Sequence, residues 1–166
     1  IVLVCQDQVF TIIRKKYLKA FPGYTAFPGG KVEKSDGPIV ELKKTLYTTL
    51  CREAQEELQI DIEEMLSTGE IISVDKIARA KSPRFNPYIY DTFFYRIEFM
   101  EKPKLILDDN EMERGMWTKP KFVLDEYDQG QRILIFPIRK VLEKMSLNIK
   151  FSDFLDYSNL DEQVGD

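Results

Sequence analysis

The amino-acid sequence predicts an α+β fold with a mixed β-sheet. Three observations support this: apolar segments typical of strands occur on both sides of one long helical segment, that segment is amphipathic, and two shorter helical segments follow near the end. With 166 residues, the chain is expected to form one domain with a substantial core. This order of elements favours helices packed against the faces of a single sheet.

The first part of the chain is predicted to form a β-hairpin followed by turns. In "IVLVCQDQVFTIIRKK", two apolar segments flank the polar break Gln6–Gln8, as in a hairpin. The next stretch, "AFPGYTAFPGGKVEKSDGP", is rich in glycine and proline, so we expect turns around one short strand.

The clearest helix is predicted from about Ile39 to Leu58. Pro38 suits the first turn of this helix, since proline lacks the amide hydrogen that would be unpaired there. The apolar stripe that predicts the helix repeats every four residues and consists of Leu42, Leu46, Leu50 and Ala54.

The second half is predicted to contain strands and then helices. "TGEIISVDKIARA" and "YIYDTFFYRIEFM" are predicted strands, joined by the loop "KSPRFNP". A short strand, "MWT", follows the acidic loop "LDDNEMERG", and helices are predicted to begin at Pro120 and Pro137. We expect the domain to span residues 1–150 and residues 151–166 to form an acidic C-terminal tail that is only partly ordered.

Composition excludes several classes of function. The net charge of −4 disfavours nonspecific binding of nucleic acid, and no apolar run is long enough to span a membrane. The sequence has no histidine, which excludes Ser-His-Asp and Cys-His catalysis as well as histidine-based zinc sites. Cys5 and Cys51 form no metal-binding pair, so we expect two free thiols in a reducing cytoplasm.

Three glutamates form the most informative cluster of charges. Glu53, Glu56 and Glu57 have the spacing i, i+3 and i+4, which places their carboxylates on one face of the predicted helix. Such pairs of like charges destabilise an isolated helix by about 0.2–0.5 kcal/mol each. Two interpretations remain open at this point: a solvated acidic face, and a site for a divalent cation.

The segment "FPGG" followed by "REAQEELQI" (Arg52–Ile60) resembles the signature of the Nudix hydrolases. That signature contains a glycine, five residues, a glutamate, seven residues and then Arg-Glu-apolar-x-Glu-Glu-x-Gly-apolar. The second half matches here, except that Gln59 replaces the glycine. In the first half, counting back from Arg52 places Lys44 at the glutamate position, and Glu41 is the nearest acidic substitute.

A second resemblance concerns one branch of the same family. The segment "FPGYTAFPGGKVEKSD" and the downstream "SPRFNPYIYDTFFY" are similar to the coenzyme A diphosphatase-like branch, which has a long insertion before the Nudix helix. In that branch a Thr-Pro…Phe-Asp-Thr-x-Phe-Phe motif follows the helix. Here Ser82-Pro83 and the stretch 90–94 stand in that place.

The family resemblance implies a Nudix-type α/β/α sandwich that hydrolyses the diphosphate bond of a nucleoside diphosphate linked to another group, with Mg²⁺ or Mn²⁺ as cofactor. The branch favours coenzyme A or a derivative as the small-molecule substrate. ADP-ribose, nucleotide sugars and dinucleoside polyphosphates remain alternatives, as does a nucleotide-binding domain without catalysis. A homodimer is compatible with the resemblance, although no interface is evident in the sequence.

The resemblance also assigns candidate roles to individual residues. Glu53, Glu56 and Glu57 would bind the metal, and Arg52 would pair with a carboxylate of the signature. Glu111 is a candidate ligand or general base, which completes the predicted catalytic set of Arg52, Glu53, Glu56 and Glu111. The predicted substrate-binding residues are Gly29, Gly30, Arg84 and Tyr24. For Arg84 the alternative is a solvated loop residue, and for Tyr24 it is packing within the loop.

Overall fold

The computed structural model describes residues 1–82 and 89–159. Within these ranges, the strands are β1 (Val2–Cys5), β2 (Gln8–Arg14), β3 (Thr25–Ala26), β4 (Ile71–Lys81), β5 (Asp91–Phe99), β6 (Met112–Thr118) and β7 (Leu155–Tyr157). The α-helices are α1 (Leu42–Leu58), α2 (Ile62–Ser67), α3 (Pro120–Asp128) and α4 (Phe136–Leu147). Short 3-10 helices span Lys34–Asp36 and Ile39–Glu41.

The strands form one mixed sheet, as predicted. Its order is β3-β2-β1-β5-β4-β7, and β6 also pairs with β2. The pairs β1–β5 and β4–β7 are parallel, whereas the other pairs are antiparallel. The predicted hairpin is confirmed, because Cys5 pairs with Gln8 across a two-residue turn at Gln6 and Asp7.

Helices cover both faces of the sheet. On one face, α1 and α2 contribute Leu50, Ala54, Leu58 and Ile62 to a core cluster with the sheet. On the other face, α3 and α4 contribute residues that include Val123 and Leu142. The predicted α+β sandwich is therefore confirmed. Among the helices of the described ranges, none has both the length and the apolar character needed to cross a bilayer.

Helix α1, strand β6 and helix α2 differ from the sequence prediction. Helix α1 begins at Leu42, because Ile39–Glu41 form a separate 3-10 helix. Strand β6 begins at Met112, four residues before the predicted "MWT" strand, because residues of the acidic stretch also pair with β2. Helix α2 was not predicted, since its six residues are too few to show a helical period. It begins at Ile62, after Asp61, whose carboxylate accepts a hydrogen bond from the Glu64 amide as an N-cap.

The chain after residue 150 takes part in the fold. Phe151 is buried in the core cluster beneath α4, and β7 adds a parallel strand to the edge of β4. The sheet therefore extends past residue 150, where the acidic tail was expected to begin.

Candidate active site

The acidic face of α1 lies partly inside the protein. Glu53 and Glu57 are one helical turn apart and both are buried, because they lie on the side of α1 that faces the sheet and the glycine turn. Glu56 lies further round the helix, and its side chain is exposed. Two of the three clustered glutamates are thus held in a site of low polarity, which is not the position of a solvated acidic face.

The glycine turn contacts these carboxylates directly. The Gly29 amide donates a hydrogen bond of 2.6 Å to Oε2 of Glu57, and Gly29 has a φ of 138°, a conformation that favours glycine. At Gly30, a Cβ atom would lie only 2.1 Å from Oε1 of Glu53. The absence of a side chain at Gly30 therefore leaves the space that the Glu53 carboxylate occupies.

Arg52 joins the glycine turn to the acidic residues. Its Nε and Nη2 donate to the two oxygens of Asp36 at 2.8 and 3.0 Å. Its Nη1 donates to Glu53 at 2.8 Å and to Glu56 at 3.0 Å, and Nη2 also donates to the carbonyl of Lys31 at 2.8 Å. Five hydrogen bonds from one planar guanidinium fix these groups relative to one another, which a lysine could not do.

Asp36 is a site residue that the sequence interpretation missed. It is buried, and besides Arg52 it accepts hydrogen bonds of 2.8 Å from the Thr49 hydroxyl and the Glu33 amide. The signal was present in the sequence, because five residues separate Gly30 from Asp36, as in the family signature. Fifteen residues (37–51) then precede Arg52, where the signature has seven.

The assignment of Lys44 to the glutamate position is therefore wrong. Lys44 is exposed and pairs with Glu41 at 3.6 Å, one turn away on the outer surface. Neither residue contacts Arg52, so neither replaces the missing glutamate. Counting back from Arg52 failed because the extra residues are inserted between Asp36 and Arg52 rather than before the glycine turn.

Burial perturbs the acidic residues in different directions. Burial raises the pKa of Glu57 to about 7. The hydrogen bond from the Gly29 amide lowers this pKa, whereas the negative charges of Glu53 and Glu111 raise it. Burial also raises the pKa of Glu53, opposed by Arg52. In contrast, the hydrogen bonds from Arg52 hold the pKa of Asp36 well below its usual range. Asp36 and Arg52 therefore form a charged pair, whereas burial disfavours the charged forms of Glu53 and Glu57.

The donor set consists of carboxylate oxygens, which suit Mg²⁺ or Mn²⁺. In residues 1–82 and 89–159, no three acidic, histidine or cysteine side chains already converge on one point at ligand distances. Arg52 engages Glu53 and Glu56, and the Gly29 amide engages Glu57. A cation bound by these glutamates would therefore take over oxygens that now accept hydrogen bonds.

A cavity of about 260 Å³ opens beside Glu53, between α1 and β5. The side chain of Lys31 at its edge lies over the ring of Tyr90, 5.6 Å from the centroid. The lining residues are Ile1, Gly29, Gly30, Lys31, Val32, Leu46, Thr49, Leu50, Glu53, Tyr90, Asp91, Thr92, Phe93 and Tyr95. Of the predicted substrate-binding residues that lie in the described ranges, Gly29 and Gly30 line this cavity and Tyr24 does not.

The other predicted residues lie further away or outside the described chain. Tyr24 packs against Phe21, whose ring in turn contacts Tyr90, so it is separated from the cavity by two rings. Glu111 precedes β6 and forms an ion pair with Arg14 at 3.3 Å. Its negative charge nevertheless contributes to the raised pKa of Glu57. Arg84 lies outside the described residues.

Gln59, which replaces the signature glycine, ends α1 in a left-handed conformation with φ 55° and ψ 42°. Its amide and that of Ile60 donate to the carbonyls of Gln55 and Ala54, which closes the helix end. Glycine adopts this conformation without the steric cost of a Cβ atom. The glycine of the signature therefore serves the helix terminus at this position, and its loss leaves the acidic face unchanged.

We expect Gln59→Gly to raise the free energy of unfolding by about 1 kcal/mol, because it removes the strain of the left-handed residue. Urea denaturation measures the change. The matched control is Gln55→Gly, an exposed residue within α1, where the same replacement is expected to lower stability by about 1 kcal/mol. A loss of stability in Gln59→Gly would contradict the interpretation.

Comparisons with known proteins agree with this fold. A sequence model of the NUDIX domain matches residues 1–136, whereas no curated protein matches the sequence significantly. A NUDIX hydrolase from Alicyclobacillus acidocaldarius superposes with a TM-score of 0.73 at 20% identity, over 87% of this chain and 89% of its own. An Ap4A hydrolase from C. elegans superposes with a TM-score of 0.58 at 12% identity, over 89% of this chain and 94% of its own. A dihydroneopterin triphosphate pyrophosphohydrolase from E. coli superposes with a TM-score of 0.57 at 13% identity, over 89% of this chain and 93% of its own.

Proposed function

Because the chain belongs to the Nudix family of pyrophosphohydrolases, which act on nucleoside diphosphate derivatives, we propose that it cleaves the diphosphate bond of a nucleoside diphosphate linked to a second group. The observation that carries the proposal is the pair of buried carboxylates, Glu53 and Glu57, beside the glycine turn and the cavity. A buried carboxylate pair that resists ionisation is typical of a functional site rather than of a solvated helix face.

In this proposal Glu53, Glu56 and Glu57 hold Mg²⁺ or Mn²⁺. When bound, the ion neutralises diphosphate oxygens and lowers the pKa of a coordinated water. Arg52 fixes the carboxylates of Glu53 and Glu56, and the Gly29 amide fixes Glu57. Glu111 is the proposed general base, since its charge acts on Glu57 from the loop before β6.

Coenzyme A or a derivative is the proposed substrate. Support comes from the branch motif, because Tyr90, Asp91, Thr92 and Phe93 within it line the cavity beside Glu53. Lys31 adds a cation at the edge of the cavity, where an anionic substrate would enter. ADP-ribose and nucleotide sugars are the alternatives, since they present the same diphosphate to the acidic face.

The non-catalytic alternative loses its two supporting features. Lys44 and Gln59 were the departures from the signature that favoured it. Asp36 provides the carboxylate that Lys44 was thought to replace, and Gln59 acts only at the end of α1. The intact acidic face therefore supports catalysis rather than binding alone.

The test is hydrolysis of a substrate panel with Mg²⁺, with Mn²⁺ and with EDTA. The panel contains coenzyme A, ADP-ribose, nucleotide sugars, NADH and diadenosine polyphosphates, and the phosphorylated products are measured. Turnover of one compound that EDTA abolishes would support the proposed function and identify the substrate class. Nucleotide binding without turnover of any compound would contradict it and favour the non-catalytic alternative.

A further inference from the structure

An apolar ridge runs along α1 from the cavity to the surface. We define this ridge as Leu42, Leu46 and Leu50, whose spacing of four residues places them on one face of α1. Exposure increases steadily outward: Leu50 is 5% exposed, Leu46 is partly buried and Leu42 is 42% exposed.

The inner half of the ridge belongs to the cavity. Leu46 and Leu50 line it together with Val32 and Phe93, so one end of the cavity is largely apolar. Glu53 follows Leu50 by one helical turn and lines the same cavity. A group that enters between α1 and β5 therefore contacts the acidic face at one end and the ridge at the other.

The outer half of the ridge lies in the residues that separate Asp36 from Arg52. Leu42 lies about 12 Å from Leu50 along the helix axis, given the rise of 1.5 Å per residue. The exposed Leu42 is more informative than an isolated apolar side chain, because the same helix face leads from it to the binding cavity.

We propose that the ridge is a subsite for an apolar chain attached to the diphosphate of the substrate. This proposal rests on the proposed function and adds the chemical class of the group that leaves with the second phosphate. The ridge begins within one turn of Glu53 and follows one face of α1 to the surface, as a linear chain on the substrate requires.

A second copy of the protein fits the ridge poorly. Stable protein–protein interfaces bury roughly 800 Å² on each partner. The exposed apolar side chains of residues 39–42 are Ile39, Val40 and Leu42, which are too few to bury that area. A line of single side chains along one face of α1 matches a hydrocarbon chain better than a protein surface.

The experiment uses ADP esters of straight-chain alcohols, from ethyl to octyl, which share one nucleoside diphosphate and differ only in chain length. We expect kcat/KM to rise roughly tenfold from butyl to octyl, since each buried methylene favours binding and these are only partly buried. Equal kcat/KM for all chain lengths would overturn the proposal.

Variants locate the effect on the ridge. Leu42→Asp is expected to remove most of the dependence on chain length while leaving hydrolysis of the ethyl ester unchanged. Val40→Asp is the matched control, because Val40 is a 93% exposed neighbour outside the ridge and receives the same charge. An equal loss of the dependence in Val40→Asp would overturn the proposal, as would a retained dependence in Leu42→Asp, with or without a change in oligomeric state by ultracentrifugation.

A binding measurement separates this inference from the proposed function. Calorimetric titration of the octyl and ethyl esters in EDTA reports affinity without turnover. Tighter binding of the octyl ester, reduced by Leu42→Asp, would support the subsite even if none of the esters were hydrolysed with Mg²⁺. Hydrolysis of all the esters with equal binding would support the proposed function and overturn the subsite.

Discussion

Replacing Glu57 with glutamine is expected to lower kcat for metal-dependent hydrolysis roughly a hundredfold or more, because in the proposed function Glu57 holds a metal ion that supplies several kcal/mol of transition-state stabilisation. The amide of glutamine keeps the shape of the side chain and can still accept the hydrogen bond from Gly29. It cannot carry the negative charge that a divalent cation requires. The fold should remain intact, since the variant removes a charge that burial disfavours.

Mn²⁺ binding, followed by electron paramagnetic resonance, gives a second measurement on Glu57→Gln. We expect weaker binding of Mn²⁺ alongside the loss of kcat. Glu63→Gln is the matched control, because Glu63 is an exposed glutamate on the neighbouring helix α2. Unchanged Mn²⁺ affinity and unchanged kcat in Glu57→Gln would show that the metal is held elsewhere.

Asp36→Asn is expected to lower the free energy of unfolding by about 2–3 kcal/mol at pH 7. Breaking a buried ion pair costs about 3–5 kcal/mol, and the partly exposed Arg52 side chain reduces that value. The loss of the charged partner also frees Arg52 from one side, so the positions of Glu53 and Glu56 become less well fixed. We therefore expect kcat to fall as well, with Asp36 acting as a positioning residue.

The stability difference between the wild type and Asp36→Asn should depend on pH. The folded state holds the pKa of Asp36 below its ordinary value of 3.8, so the charged carboxylate stabilises the fold fully above that value. The difference should therefore be constant from pH 7 to about pH 5 and decrease below about pH 4, as the wild type loses its advantage. Urea denaturation at a series of pH values measures it.

Two control variants accompany Asp36→Asn. Asp125→Asn removes one partner of an exposed pair with Lys121 on α3 and is expected to cost less than about 0.5 kcal/mol. Lys44→Ala tests the position first assigned to the signature glutamate, and we expect no change in stability or kcat because Lys44 lies on the outer surface. A large effect of Lys44→Ala together with none of Asp36→Asn would restore the original assignment.

Local patterns explain why much of the fold could be predicted. Helix α1 has an apolar repeat of four residues, and the first hairpin, β4 and β5 are apolar segments bounded by turns or loops, so their types could be predicted. Strand β6 was only partly predicted, since its first residues are polar, and α2 is too short to show a period. β7 contributes only three residues, and its pairing with β4 depends on the packing of Phe151.

The sequence by itself determined which side chains share the face of α1, because a helix places Glu53, Glu56 and Glu57 on one side whatever its surroundings. Only the tertiary structure decided which acid pairs with Arg52. An insertion changes the distance along the chain between Asp36 and Arg52, whereas the hydrogen bonds of a guanidinium depend on distance in space. Burial of Glu53 and Glu57 was likewise decided by packing, since α1 presents them to the glycine turn only when it lies on the sheet.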